Sequence, residues 1–417
     1  MNEENPKEKK TCDGYTLFGV FPLHMEGGDF PILIDMTGTE VKRWIAIPFP
    51  VKMIPGGSII VPTGSYFKND ITHVSQLAWN GAIEWDFSQW IQDDHSRSMA
   101  RQHHDFQREG NAVGYYAPGQ VFMFKGRTLI LGHKTVFNPN VSRRPLIDDL
   151  IYEVNWDGTL TGFEWHASDH IDEMGFDAKT RIGIRLNPGG PGLILRGLPG
   201  DWLHIDSISL LGNNKWYEQG DERFNPNNIM ICSRHTNFIA IINKNNGNIV
   251  WRCGPDFPRR HNRSKVGRFI GPHDAHIIQK GLPGEGNILI FDNGGVSGYG
   301  VFGFPDQVRF YSRMVEFNPI TFEIVQQYTH KKGLFPKPRK GKYHRFFSMT
   351  MSSVQRLPNG NTLITEALSG RIFEITPTND IVWDYVYPNQ DYAFYKAYRV
   401  PPEWVPGNPA GYPFWGK

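Results

Sequence analysis

One short unit returns six times along this 417-residue chain, and it limits the possible folds more than any other feature. The unit is an apolar strand, a turn rich in Asn, Asp or Gly, and a second strand that ends on an aromatic residue. It runs from Pro31 to Gly38 and on to Trp44, then from Ser75 to Gly81 and on to Trp85. The third copy runs from Leu150 to Gly158 and on to Trp165, the fourth from Phe238 to Gly247 and on to Trp251. A degenerate fifth leads from Met314 through Pro319 to Tyr328, and the sixth from Arg371 through Thr376 to Trp383. Asn-Gly and Asp-Gly between alternating strands are the strongest short-range sign of a β-hairpin.

Another apolar strand precedes most of these hairpins, as at 57–61, 127–131, 228–232, 287–291 and 361–365. Several have one more strand before that, which gives four per unit. Repetition of four antiparallel strands predicts an all-β fold, a six-bladed β-propeller with four-stranded blades. A chain of separate β-sandwiches would need linkers, and none is visible. The whole of 1–417 therefore reads as one propeller domain, with a flexible N-terminus over 1–13. The Pro- and aromatic-rich tail, 388–417, is expected to pack on the propeller and close the ring near the first strands. Uneven spacing puts the excess residues into long inter-blade loops at 88–102, 166–202, 252–272 and 331–345. The 44 Gly, 30 Pro and 13% aromatic residues suit many tight turns and argue against a helical bundle.

Net charge is +2, so no global field points to nucleic acid or to an acidic membrane. The basic runs at 258–265 and 337–342 read as solvated loops. No apolar stretch is long enough to span a bilayer, and no export signal is visible, which leads to the expectation of a cytoplasmic protein. Three cysteines without close spacing suggest neither a disulfide framework nor a Cys-based zinc site. The sequence sets no oligomeric state.

Polar residues recur at one phase of the repeat. The first strand of a propeller blade lines the central channel, and three of these strands open with His and Asp together: His103-His104-Asp105, His204-Ile205-Asp206 and His273-Asp274-Ala275-His276. A fourth opens at Ser348. Second strands of the same blades end on His133, on Arg234-His235 and on Asp292-Asn293. Burying ionisable groups is costly unless they are paired, so their recurrence points to a shared site. The Asp residues can accept protons from neighbouring imidazoles and fix their tautomers. His95, His166, His170 and His344 fall on the loops, where they could be lid residues or simply exposed.

Two chemistries suit this set. In one, a neutral imidazole attacks an electrophile while Arg234 and other imidazoles hold its oxyanions. In the other, several imidazoles bind a divalent metal ion that activates water or polarises a substrate. A propeller used only as an interaction scaffold is a third reading.

The chain resembles the arylsulfotransferase family through 201–208, Ser233-Arg234-His235, 272–276, 291–294, 346–364 and 370–374. That resemblance implies a six-bladed propeller that moves a sulfuryl group between phenolic compounds, with no cofactor. It implies His273 as the nucleophile, His204 and Arg234 on the sulfuryl oxygens, and His104 as a further channel histidine. His235, His276, Asp206, Asp105, His170 and Ser348 are then expected to line the substrate site. A metal-dependent lyase or hydrolase would instead use His104, His204, His273 and His276 as ligands. Either way the expected partner is a small aromatic substrate, not nucleic acid or a membrane. Asp206 stands where the family pattern has Asn, and the family's bacterial members are typically exported.

Overall fold

The structure, a computed structural model, describes residues 11–23, 28–67, 70–88, 91–92, 98–190, 199–256, 265–300, 304–329 and 346–415. His95, His344 and most of both basic runs lie outside them. Antiparallel sheets dominate, and the described helices are short. No described helix is long and apolar enough to cross a membrane.

All six hairpins form where the repeat places them, each as the outer strand pair of a unit. The expected count of six separate blades is corrected to four. The separate four-stranded sheets contain Glu40–Arg43, Ile249–Cys253, Ile324–Thr329 and Ile381–Val386 as their outer strands. The strands expected for the second and third blades belong to one nine-stranded sheet. Gln102 causes the fusion, because it pairs with Ile71 on one side and Gly132 on the other. The two-residue strand Gly200–Asp201 adds to the same sheet, parallel to Leu146–Ile147. With four separate sheets arranged propeller-fashion, the architecture is a β-propeller.

The recurring aromatic has a physical reason. The Trp85 indole N–H donates to Trp156 O at 2.8 Å, Trp165 to Gly247 O at 2.9 Å, and Trp251 to Pro319 O at 3.0 Å. Trp383 donates to Met36 O at 2.8 Å, joining the last unit to the first. Each indole thus reaches from the outer strand of one unit to the hairpin turn of the next. A ring this size and this polar at one end fills the wedge between blades and still finds an acceptor. Trp44 is the exception: it meets Trp79 edge-on, and its buried N–H has no partner among the described residues.

Part of the expected tail is a full strand. Tyr392–Val400 pairs antiparallel with Tyr15–Pro22, in a sheet that continues through Phe30–Ile34 to Glu40–Arg43. The first sheet therefore draws its innermost strand from the far end of the sequence. Beyond it, the Trp415 indole donates to Asp13 O at 2.6 Å.

Candidate active site at the inner strands

Three inner strands carry a bulge at their polar residues. Register shifts fall between Gln102 and Phe106, Ile205 and Ser207, and His273 and His276. His104, His204 and Asp274 take positive φ angles of 56°, 52° and 58° there. Left-handed backbone is uncommon for residues with a side chain, and a bulge that uses it re-aims the local side chains. At the first bulge His104 turns toward His204, with ring centroids 4.6 Å apart, while its neighbour His103 turns the other way and stacks on His133.

His204 also stacks on His235 at 4.5 Å. The side chain of Asp201 organises this pair: its Oδ2 lies 2.6 Å from His204 Nδ1, and its backbone carbonyl lies 2.9 Å from His235 Nδ1. A carbonyl only accepts, so His235 carries its proton on Nδ1 and presents a lone pair at Nε2. Burial alone would raise the Asp201 carboxyl, but His204 beside it holds it well below the usual range. Asp201, His204 and His235 bring one ligand atom each within 4.8 Å and could hold a metal ion.

His273 is 1% exposed. Its Nδ1 lies 2.8 Å from Asn293 Oδ1 and 3.0 Å from Gly271 O, two acceptors that place the ring proton on Nδ1. Its Nε2 accepts the Met351 N–H at 3.0 Å. Burial, with the charge of Arg234 next in weight, takes the His273 pKa well below that of an ordinary histidine. Burial does the same to His104 and His235, with His204 contributing to both. Arg234 Nε is buried and has no hydrogen-bond partner among the described residues. The strand Gly295–Tyr299 covers this arginine from the backbone side, with Ser297 Oγ donating to Arg234 O at 2.6 Å and Gly298 N to His235 O at 3.1 Å.

The Asp residues of the repeat do something else. Asp105 accepts Ile208 N at 3.1 Å, Asp206 accepts Asp274 N at 3.4 Å, and Asp274 accepts Val354 N at 3.1 Å. Ser353 closes the series by accepting Ala397 N at 3.1 Å. Every one of these bonds ties an inner strand to the next inner strand in the chain's order around the ring. Lys396 bridges Asp105 and Asp274 at 3.1 Å each, and Lys52 adds 2.5 Å to Asp105. Asp105 is thus an inter-blade tie, not a group facing substrate. Asp206 is 0% exposed, and burial raises its pKa well above the usual range, against the pull of Lys396. A carboxyl kept neutral in this way does not repel an anion beside it.

Three further expectations are corrected by placement. His276 points into the blade interior: its Nε2 meets Tyr115 Oη at 2.5 Å and its Nδ1 meets Asp274 O at 2.9 Å, so neither ring nitrogen is open. The four-histidine metal set is therefore not assembled. His170 stacks on Trp165 at 5.2 Å and pairs with Glu173 at 2.8 Å, at the outer strand of its blade. Ser348 is buried and donates to Thr350 O at 2.8 Å, while its carbonyl holds the Asn293 amide at 2.8 Å. It positions the partner of His273 and does not face the open site. His166 pairs with Glu164 at 3.1 Å, away from this group. Residues with no role expected from the sequence are Asp201 and the Met351 amide, while Asn293, one of the recurring polar residues, acts as the partner of His273.

A model of the arylsulfotransferase (ASST) family matches residues 130–388, more than half of the chain. A search of the curated proteins finds none that matches. Among solved structures, a Bacteroides caccae protein of unknown function is 11% identical, with a TM-score of 0.48 over 93% of this chain and 99% of that one. Virginiamycin B lyase from Staphylococcus aureus is 12% identical, with a TM-score of 0.35 over 92% of this chain and 87% of that one. The Dos1 propeller is 8% identical, with a TM-score of 0.35 over 90% and 76%. The family match covers 201–208, 233–235, 272–276 and 346–374, the segments that carry His204, Arg234, His235 and His273 but not His104, and the chain belongs to the arylsulfotransferase family.

Proposed function

We propose that the protein transfers a sulfuryl group from an aryl sulfate to a phenolic acceptor by way of His273. The observation that carries this reading is the meeting of Arg234, whose Nε lacks a partner among the described residues, with imidazoles held as Nδ1–H tautomers. In the first half-reaction His273 Nε2 attacks sulfur, an N–S bond forms and the S–O bond to the aryl group breaks. The departing phenolate takes a proton from His204, whose ring Asp201 holds in place through Nδ1. In the second half the acceptor phenol returns that proton to His204 as its oxygen takes the sulfuryl group, and His273 is restored. Arg234 offers its planar fork to the sulfuryl oxygens, whose charge grows most at the transition state. A neutral Asp206 removes the repulsion that a carboxylate in this position would cause.

The test is turnover of a chromogenic aryl sulfate with a phenol acceptor. His273→Asn should abolish it, together with any acid-labile sulfated intermediate on the protein. Undiminished transfer by a folded His273→Asn variant removes His273 from the reaction. A metal-dependent lyase or hydrolase is the second reading, favoured by the grouping of Asp201, His204 and His235. It predicts activity that depends on a stoichiometric divalent ion and produces no sulfated enzyme.

A further inference from the structure

Behind His104, and turned away from the site just described, lies a second group of ionisable residues that the reaction does not use. His103 on the inner strand Gln102–Arg108, His133 on Thr128–Val136 and Asp149 on Leu146–Val154 are 2%, 0% and 0% exposed. Each brings a ligand atom within 4.8 Å of the other two. His103 Nε2 lies 3.2 Å and His133 Nε2 3.8 Å from Asp149 Oδ1. Even so, His103 Nε2, His133 Nε2 and Asp149 Oδ2 have no hydrogen-bond partner among the described residues. Three unsatisfied polar atoms gathered in one buried place are costly unless something binds them.

The surroundings orient these atoms as ligands. His133 Nδ1 lies 2.6 Å from Asp70 Oδ1, and Arg101 Nε donates to Asp70 Oδ2 at 2.7 Å. A carboxylate held by an arginine fixes the imidazole proton on Nδ1 and leaves the Nε2 lone pair free, the arrangement that supports a metal-bound histidine. Asp149 Oδ1 accepts the Ile205 N–H at 3.0 Å, which anchors the carboxylate and frees Oδ2. His103 Nδ1 lies 2.9 Å from His104 Nδ1, so a proton on the former leaves the His103 Nε2 lone pair free.

We infer that His103, His133 and Asp149 form a site for a divalent transition-metal ion of the zinc type. Two imidazoles and one carboxylate suit zinc or cobalt better than magnesium or calcium, which take mostly oxygen ligands. The two rings stack at 3.5 Å with 9° between planes, and loading splays them so that their lone pairs converge. Three protein ligands leave a fourth position for water. The ion also reaches the channel: a metal on His103 Nε2 fixes the proton on its Nδ1, so His104 accepts at Nδ1 and presents an N–H at Nε2. That last consequence rests on the sulfuryl-transfer reading, whereas the metal site does not.

The full chain, stripped with a chelator and dialysed against Zn²⁺ or Co²⁺, provides the test. The expected result is one ion retained per chain, with the intense visible absorption of four-coordinate Co²⁺. His133→Gln should lose the ion, Asp149→Asn should weaken binding at least tenfold, and His235→Gln should retain it. No stoichiometric uptake by the wild-type chain overturns the site, as does uptake that survives His133→Gln and disappears in His235→Gln. Circular dichroism reports whether each variant folds. Should His133→Gln fail to fold, Asp149→Asn read beside His235→Gln decides: undiminished binding in Asp149→Asn, or a weak six-coordinate cobalt spectrum in the wild-type chain, overturns the site. Aryl-sulfate turnover by a wild-type chain that takes up no ion would reject the metal site and leave the transfer reaction standing.

Discussion

The backbone N–H of Met351 donates to Nε2 of His273 at 3.0 Å, so the ring atom proposed to attack sulfur already faces a hydrogen-bond donor. Met351 and Ser352 hold φ angles of 59° and 85°, a strained turn that aims this amide at the imidazole. The resting ring is neutral and aligned, and its lone pair must be released from the amide as the N–S bond forms.

His273 reacts as the neutral base, and burial lowers its pKa well below 6.5. A histidine with a depressed pKa remains unprotonated as pH falls through the ordinary imidazole value. The acid limb of kcat/KM should therefore lie below pH 6.5, as measured by a pH–rate profile with a chromogenic aryl sulfate. A limb at or above that value would mean that another group controls the reaction.

Arg234→Lys keeps the charge and loses the fork. Removing one preorganised donor from such a site costs about 3–4 kcal/mol at the transition state, or roughly 10²–10³ in rate. Steady-state kinetics should show that loss in kcat, with an unchanged unfolding midpoint.

Asp274 joins Lys396 to the Val354 amide and has no other function in the proposed chemistry. Asp274→Asn leaves Lys396 with Asp105 as its remaining carboxylate partner in the described network. Breaking one side of a buried ion pair costs about 3–5 kcal/mol, which urea unfolding would register. Lost turnover at unchanged stability would instead assign Asp274 to the chemistry.

Trp251→Phe removes the indole N–H that holds Pro319 O and also leaves a smaller ring in a packed core. Leaving a buried carbonyl short of its donor costs about 1–3 kcal/mol. A lower Tm with normal kinetics is expected, and Trp165→Phe should behave alike because it makes the same contact one blade earlier.

Cys12, Cys232 and Cys253 are all buried. Burial pushes the Cys12 thiol up to about 12, and it also raises Cys232 well above the usual range. A raised thiol pKa means less thiolate at a given pH, and thiolate is the reactive form. At pH 8 the native chain should resist alkylation at Cys12 and Cys232, and the unfolded chain should label at all three cysteines.

Much of the fold was readable because its fasteners lie in the repeat itself. An aromatic ring at the end of each hairpin, an indole in five of the six, and a Gly- or Asn-rich turn opposite it are local signals, and both appear in the sequence. Blade separation was not readable, since one pairing between Gln102 and Ile71 fuses two units and no residue type announces it. At the site, phase put His104 and His204 on successive inner strands, where their rings lie 4.6 Å apart, and put His273 at the bulge of the next inner strand. It could not tell an acid that orients a histidine from one that ties strands, and so it singled out Asp105 and passed over Asp201. The clue to Asp201 was its position three residues before His204, across a turn that lets its carboxylate fold back on the ring. His170 misled because a histidine in a long loop reads the same whether it stacks on Trp165 or covers a pocket.

The strand Tyr392–Val400 follows every other described strand in the sequence and sits beside Tyr15–Pro22, which precedes them. Its Tyr395 hydroxyl lies 3.0 Å from His104 O and 3.2 Å from Asp206 O, directly beneath two of the bulged inner strands. During translation the histidines would therefore have to wait, without this backing, until residues 392–400 have left the ribosome. A product truncated just before Tyr392 keeps every imidazole of the site and yet lacks the strand that backs them.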